Sequence, residues 1–345
     1  MPATRTNPLP RAAVVYHPHK TDLTALRAAV RRYEAAAGWA RTRWYETEPS
    51  DAGTGAARRA LEEGAGLVLA SGGDGTVRAV AEALRRSGVP LAVVPQGTGN
   101  LLARNLGMPL GDVEEAVEAA FRGTNRTIDL GVMTIIRPGA GGAGGAGIEG
   151  GEERRDQHVF LVLAGMGLDA RAITATSSKL KRWVGWLAYV DGGLRTMIKD
   201  APLQIHYSVD GQTPRSLTVF TVMIGNCGLL PGGVLLIPEA EIDDGLLDVV
   251  ALRPLGAFSW LRIWRKIGWE NGVLRRTKAG RRMIDLVHDT RSVTYLRAGR
   301  FALSVPQPEP IQLDGDDFGL ALAASGEVDP GALVVRVLPR WRRSV

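Results

Sequence analysis

The sequence predicts two domains: an α/β domain with a parallel sheet and glycine-rich turns, then a β-rich domain of antiparallel, sandwich-like strands. Three observations carry this reading. Short apolar runs alternate with helix-period runs through the first third of the chain. Two of those runs, 66–70 and 91–94, each lead through a glycine-rich turn into a helical pattern. From Ile128 onward the helical period gives way to strand-like runs. A chain of 345 residues has room for both domains.

Residues 12–16 form the first expected strand. Leu23, Leu26, Val30, Tyr33 and Ala37 then recur at helical spacing, with Thr21 or Asp22 as N-cap and Gly38 as the stop. Residues 42–47 fit a second strand and 56–61 a helix. The apolar run 66–70 is a buried strand, and Val77, Val80, Ala81 and Leu84 place a helix after it. Residues 91–94 repeat the pattern: a turn over 95–100, then a helix from Leu101 that ends near Gly107 and Pro109. A helix over 112–121 closes the first domain, 11–127. The second domain, 128–330, opens with strands at 128–136 and 158–163. Between them, 138–156 is a glycine–alanine tract followed by Glu and Arg, a composition that predicts a disordered loop. Further strands are expected at 203–209, 217–224, 246–252, 292–296 and 301–305.

Charge and cysteine usage narrow the function classes. The 42 Lys and Arg against 36 Asp and Glu leave a formal +6, a modest excess compatible with an anionic membrane or nucleotide. The basic residues are dispersed without a recognition motif, so no nucleic-acid partner is expected. Cys227 is the single cysteine, which excludes an intrachain disulfide and points to a reducing compartment. No apolar run approaches the roughly 20 residues that span a bilayer. Residues 1–10 lack the apolar core of a secretory signal. The expected location is cytoplasmic, peripheral at the inner face of the membrane.

The first glycine turn reads Ser71-Gly72-Gly73-Asp74-Gly75-Thr76. A strand that turns through glycines into a helix points backbone N–H groups at whatever lies in front, and phosphate suits that place. Asp74 puts a carboxylate where phosphates repel one. That is consistent with an intervening Mg²⁺, with a ribose hydroxyl, or with a backbone N–H as its partner. No Lys follows the glycines, so this is not a Walker A loop. The second turn, Gln96-Gly97-Thr98-Gly99-Asn100, follows a neighbouring strand and faces the same crevice.

Together these motifs resemble the diacylglycerol kinase catalytic-domain family, which includes bacterial lipid kinases and sphingosine kinases and is distantly related to NAD kinases. Residues 72–76 are similar to that family's nucleotide-binding motif, and 97–100 to its second nucleotide loop. Residues 238–248 and 312–316 resemble stretches typical of bacterial lipid kinases. The resemblance runs from about Ala12 to about Pro339 with its motifs in family order. It implies ATP and Mg²⁺ as cofactors, a membrane lipid alcohol as acceptor, and nucleotide contacts from Thr47, Gly72, Gly73, Asp74, Gly75, Thr76, Gly97, Thr98 and Asn100. It implies that the last strand, 332–338, returns to the first domain, so that 331–345 belong there.

The resemblance makes Asp316 the proton acceptor, where the family has Glu. The shorter side chain withdraws the carboxylate by ~1.5 Å, a shift that costs about 100-fold if uncompensated. Either the substrate sits closer, or Asp314 or Asp317 shares the work. The acidic hairpin turn with Asp-Gly at its tip is the structural alternative. Glu241 and Leu246, through their carbonyls, and Asp244, through its carboxylate, are implied to hold a structural Mg²⁺. Leu101 stands where many members have Asp, so Asp74 carries more of the metal network. Trp183, Trp186, Leu187 and Val190 with Lys179, Lys181 and Arg182 suit a bilayer surface, as do Trp260, Leu261, Trp264 and Ile267 with Arg262, Arg265 and Lys266. A core-facing helix with a solvated basic face is the structural alternative for either stripe. Gly225-Asn226 resembles a family position where Asn satisfies a buried carbonyl, and His17 and His19 are loop residues near the nucleotide. An ATP-dependent lipid kinase acting on diacylglycerol is the expected function. The alternatives are a sphingoid or ceramide kinase, an NAD kinase-like enzyme and a non-catalytic lipid-binding homologue. Whether the chain acts as a monomer or a homodimer stays open.

Overall fold

A computed structural model of the chain describes residues 9–108, 110–138, 154–167, 202–230, 234–235, 237, 239–253, 289–290 and 293–339. The first half of the chain forms β1 (Arg11–Tyr16), α1 (Leu23–Ala36), β2 (Ala40–Glu46), α2 (Thr54–Glu62), β3 (Leu67–Gly72), α3 (Asp74–Leu84), β4 (Leu91–Pro95), α4 (Leu101–Asn105) and α5 (Val113–Arg122). Strands follow: β5 (Thr124–Arg137), β6 (Arg154–Phe160), β7 (Leu163–Met166), β8 (Leu203–Val209), β9 (Arg215–Val219) and β10 (Thr221–Gly225). The last are β11 (Leu229–Leu230), β12 (Val234–Leu235), β13 (Leu247–Leu252), β14 (Asp289–Thr290), β15 (Val293–Ala298), β16 (Arg300–Leu313) and β17 (Asp316–Val337). They divide into two units, Met1–Ile128 with Gly331–Val345, and Asp129–Pro330.

In the first unit the strand order is β2-β1-β3-β4, and the end of β17 lies beside β4 with Val335 opposite Leu91; these four pairings are parallel. Parallel strands need crossovers, and the helices supply them. Asp22 caps α1, accepting from the N–H groups of Thr24 and Ala25 at 3.1 and 3.0 Å. Gly38 at φ +69° ends the turn that follows α1. The strands alternate strictly. Ala12, Val14, Leu67, Leu69, Ala92 and Val94 bury one face against α1 and α5. Ala13, Val15, Val68, Ala70 and Val93 are equally buried on the other face, where α2 and α3 pack together. Tyr16 pairs with Ser71, and Gly72 with Pro95, so the carboxyl ends of β1, β3 and β4 finish level. The loops after them therefore emerge side by side, where open α/β sheets place their ligands.

Among the described residues of the second unit, β5–β6, β7–β10, β7–β16, β8–β9, β8–β16, β10–β13, β13–β15, β14–β15 and β16–β17 all pair antiparallel. Phe160, Met166, Ile205, Ile224, Leu247 and Phe301 lie in its apolar core. β16 and β17 pair from Arg300–Glu327 to Leu313–Asp316, and the register breaks between Ser304 and Glu309. Pro306 and Pro308 lie in that break and have no N–H to donate to a ladder.

Several expected boundaries move. The run 217–224 is two strands, β9 and β10, separated at Phe220. β16 extends well past 305, and β17 covers 316–331, which carried no strand expectation. Of the expected disordered loop 138–156, residues 139–153 lie outside the described residues, while 154–156 begin β6. The cause is a side-chain lock: Asp156 accepts from the Nε of Arg137 at 2.6 Å and from the Nε of Arg154 at 3.1 Å. Arg137 also donates to the carbonyl of Phe318 at 2.6 Å. The Arg137 hydrogen bond, with that of Arg154, holds the Asp156 carboxyl below its ordinary range against an opposing burial effect.

Candidate active site

The two glycine turns are built against each other. α3 starts at Asp74 with Gly73 as its N-cap, and no side chain caps that end. Its first-turn N–H groups therefore keep an uncapped helix N-terminus for an anion. A Cβ on Gly97 would sit 2.7 Å from the Cα of Gly73, so only glycine allows this approach. A Cβ on Gly73 would meet the Nζ of Lys20 at 3.4 Å and the Cα of Gly97 at 3.6 Å. A Cβ on Gly72 would strike Thr76, whose side chain is buried under the turn. Gln96 N–H donates to the Gly72 carbonyl at 2.9 Å and ties the bases of the two loops.

Asp74 supplies the main brace. One carboxylate oxygen accepts from the N–H of Asn100 at 2.8 Å, the other from the N–H of Leu101 at 2.5 Å. Backbone N–H is therefore among the partners of Asp74. Asn100 sits in the left-handed region at φ +49°, which Asn tolerates better than most residues. Its Oδ1 accepts from the Gly97 N–H at 2.9 Å and its Nδ2 donates to the Gly97 carbonyl at 2.8 Å, closing the second turn on itself. Arg104 donates to the Gly99 carbonyl at 2.6 Å. Asn100 and Thr76 are thus buried supports, while Thr98 is exposed and Gly75 half-buried. Thr47 is buried at the end of β2, with its N–H donated to the Tyr16 carbonyl at 3.0 Å. A Cβ on Gly53 would lie 2.9 Å from its methyl.

The β1–α1 turn frames the same edge. His17 N–H donates to the Ser71 carbonyl at 2.9 Å, and the Thr21 hydroxyl reaches both the carbonyl and the hydroxyl of Ser71 at 3.1 Å. Burial, then the neighbouring charges of Lys20 and His19, push the His17 imidazole below its ordinary value. The sequence reading missed Lys20; its signal was a cation in the loop after the first strand, two residues beyond Pro18.

The acidic turn in the second unit separates its carboxylates by role. Asp314 and Gly315, at φ +49° and +87°, form the two-residue tip of the β16–β17 hairpin. Asp314 is buried at 4% exposure. Its carboxylate accepts three backbone N–H groups: Leu161 at 2.8 Å, Val162 at 2.8 Å and Leu163 at 3.0 Å. That cage makes it a brace for the segment between β6 and β7. Asp317 accepts from the N–H of Gly319 at 2.8 Å. Asp316 is half-buried at the first position of β17.

Residues 11–133 match the model of the diacylglycerol kinase catalytic domain, and 162–337 match that of the YegS C-terminal NAD kinase beta sandwich-like domain. The chain belongs to the diacylglycerol kinase family of lipid kinases. A diacylglycerol kinase of Bacillus subtilis is 25% identical over 316 residues, 90% of this chain and 91% of that protein. A protein of Pseudomonas aeruginosa named a probable YegS-like lipid kinase is 35% identical over 205 residues, 57% of this chain. The chain spans 59% of that protein's length and 52% of another curated relative. The crystal structure of a diacylglycerol kinase from Bacillus anthracis superposes with a TM-score of 0.68 at 20% identity, covering 97% of this chain and 99% of that one, a likeness of fold. In this diacylglycerol kinase family member the glycine turns fall in the catalytic-domain match, and Asp244, Asp314 and Asp316 in the C-terminal match.

The family resemblance implies a structural metal at Glu241, Asp244 and Leu246; here the Asp244 carboxylate has protein partners. Asp244 Oδ1 accepts from the Leu246 N–H at 3.0 Å, and its Oδ2 is paired with Arg297. The Nε of Arg297 lies 3.3 Å from Asp248. Asp129 accepts from the Gly245 N–H at 2.7 Å. Burial pushes the Asp248 carboxyl up to about 6, with Arg297 opposing and Asp244 and Glu239 adding to the rise. Asn226 donates to the carbonyls of Asp129 and Leu161, both at 3.0 Å, the buried-carbonyl role its position suggested. The aromatic and basic segments 179–190 and 260–267 lie outside the described residues. Among the described residues no helix is long and apolar enough to cross a membrane.

Proposed function

We propose that this member of the diacylglycerol kinase family transfers the γ-phosphate of Mg²⁺-ATP to the hydroxyl of a membrane lipid, with diacylglycerol as acceptor. One observation carries the nucleotide half: the two glycine turns are locked side by side by the Asp74 carboxylate on the N–H groups of Asn100 and Leu101, beside an uncapped helix N-terminus. That is a phosphate cradle, because its donors are backbone N–H groups and its glycines leave the space a side chain would fill. Mg²⁺ bound to the triphosphate would supply neutralisation of its charge.

Phosphoryl transfer asks the protein for positioning and for a group that takes the hydroxyl proton. Asp316 has that second role by family position, and its half-exposed carboxyl suits it better than the caged Asp314. Asp314 acts as a positioning residue through the backbone of 161–163. The enzyme works at the cytoplasmic membrane face, where its acceptor resides, and takes no nucleic acid. The test is phosphorylation of a lipid array with labelled Mg²⁺-ATP, followed by mass identification of the product. Diacylglycerol converted to phosphatidic acid is the expected result. Turnover of NAD with none of any lipid, or nucleotide binding without transfer to any acceptor, overturns it.

A further inference from the structure

The phosphate cradle has no lysine in its own loop, yet a lysine ammonium stands over it. The Nζ of Lys20 is 3.4 Å from the place a Cβ would take on Gly73, the N-cap of α3, and the Gly73 Cα in turn approaches Gly97. The β1–α1 turn puts it there. Lys20 N–H donates to the His17 carbonyl at 3.3 Å, and Thr21 N–H donates to the same carbonyl at 3.1 Å, which curls the turn. His17 N–H and the Thr21 hydroxyl then anchor both of its ends to Ser71, two residues before Gly73. The backbone under Lys20 is therefore tied to the strand that carries the glycines. The side chain itself is exposed, so its charge is not consumed by packing.

We infer that Lys20 is a phosphate-contacting residue: its ammonium closes the front of the glycine cradle and binds the phosphate chain of the nucleoside triphosphate. The inference rests on the kinase reading above. A triphosphate held only by backbone N–H groups and one Mg²⁺ keeps excess negative charge, and an ammonium on a flexible stem suits the remainder as a point charge. Leu101, buried at 8% exposure, adds no carboxylate to oppose it.

The experiment is calorimetric titration of the full chain with Mg²⁺-ATP and with adenosine, for wild type, Lys20→Ala and Lys20→Arg. Loss of one charge-assisted contact weakens Mg²⁺-ATP binding by roughly 10- to 100-fold in Lys20→Ala. Adenosine affinity and the melting temperature stay unchanged, and Lys20→Arg keeps most of the affinity. In the transfer assay the KM for ATP rises while the KM for lipid does not. Mg²⁺-ATP affinity within about twofold of wild type overturns the inference alone, as does equal weakening for ATP and adenosine. So does a loss confined to binding of anionic lipid vesicles, which would make Lys20 a membrane contact. A wild-type protein that binds no nucleoside triphosphate overturns the kinase reading and this inference together.

Discussion

Replacing Asp314 by Asn separates bracing from chemistry in the acidic turn. Asn tolerates the left-handed backbone at this position, so the hairpin tip itself is preserved. What changes is the cage. The carboxylate accepts the N–H groups of Leu161, Val162 and Leu163, two on one oxygen and one on the other. An amide keeps one acceptor oxygen and turns an NH₂ group toward the remaining donor. Each hydrogen bond to a charged group contributes about 1.5–3 kcal/mol, so losing one outright and the charge on two gives about 3 kcal/mol. A domain holds only about 5–15 kcal/mol in total, so the loss is easy to measure. Urea unfolding reads it directly, and hydrogen exchange of the amides of 161–163 locates it. Stability within about 0.5 kcal/mol of wild type, with unaltered protection at those amides, refutes the brace. A large fall in kcat in that case returns Asp314 to the role of proton acceptor.

Gly97→Ala puts a methyl 2.7 Å from the Gly73 backbone and must part the two turns; a shift of ~1 Å there costs about 100-fold in kcat/KM for ATP, read in the transfer assay. Asp316→Asn lowers kcat by about 10²–10⁴-fold and leaves ATP affinity intact, a split seen by pairing turnover with calorimetry. The folded protein disfavours the charged His17 imidazole, so its pKa lies below the ordinary 6.5 and the unfolded chain binds the extra proton first. Stability is therefore full above pH 6.5 and falls as pH drops below it, toward the folded value; thermal melts of His17→Asn lose that component of the slope.

Patterns that involve near neighbours were legible in the sequence, and partners distant along the chain were not. The cap of α1 by Asp22, the two strand–turn–helix units and the Asp314–Gly315 hairpin tip all follow from residues within a few positions of one another. β6 begins at Arg154 because Asp156 meets Arg137 across the ladder, and a charged stretch after a glycine tract gives no sign of that. Much of β17 was invisible because Gly319, Gly326, Pro330 and Gly331 read locally as breakers. Its pairing with β16 supplies the ladder that local propensity argues against.

The acidic residues make the same point about function. Asp74, Asp244 and Asp314 each stand in motifs that suggest metal or proton chemistry. Asp74 and Asp314 grip backbone N–H groups 26 or more residues away, and Asp244, in the turn before β13, carries an arginine from β15. No spacing rule announces such partners, because they exist only once the strands have paired. Yet for phosphoryl transfer this is not a loss of function. The reaction is accelerated by placing phosphates and charges, and little covalent work falls to the protein. A carboxylate that holds two glycine turns in contact sets the geometry of the cradle as surely as one that touches the substrate. It follows that Asp74→Ala damages nucleotide binding by letting the turns separate, whether or not the carboxylate ever meets the metal.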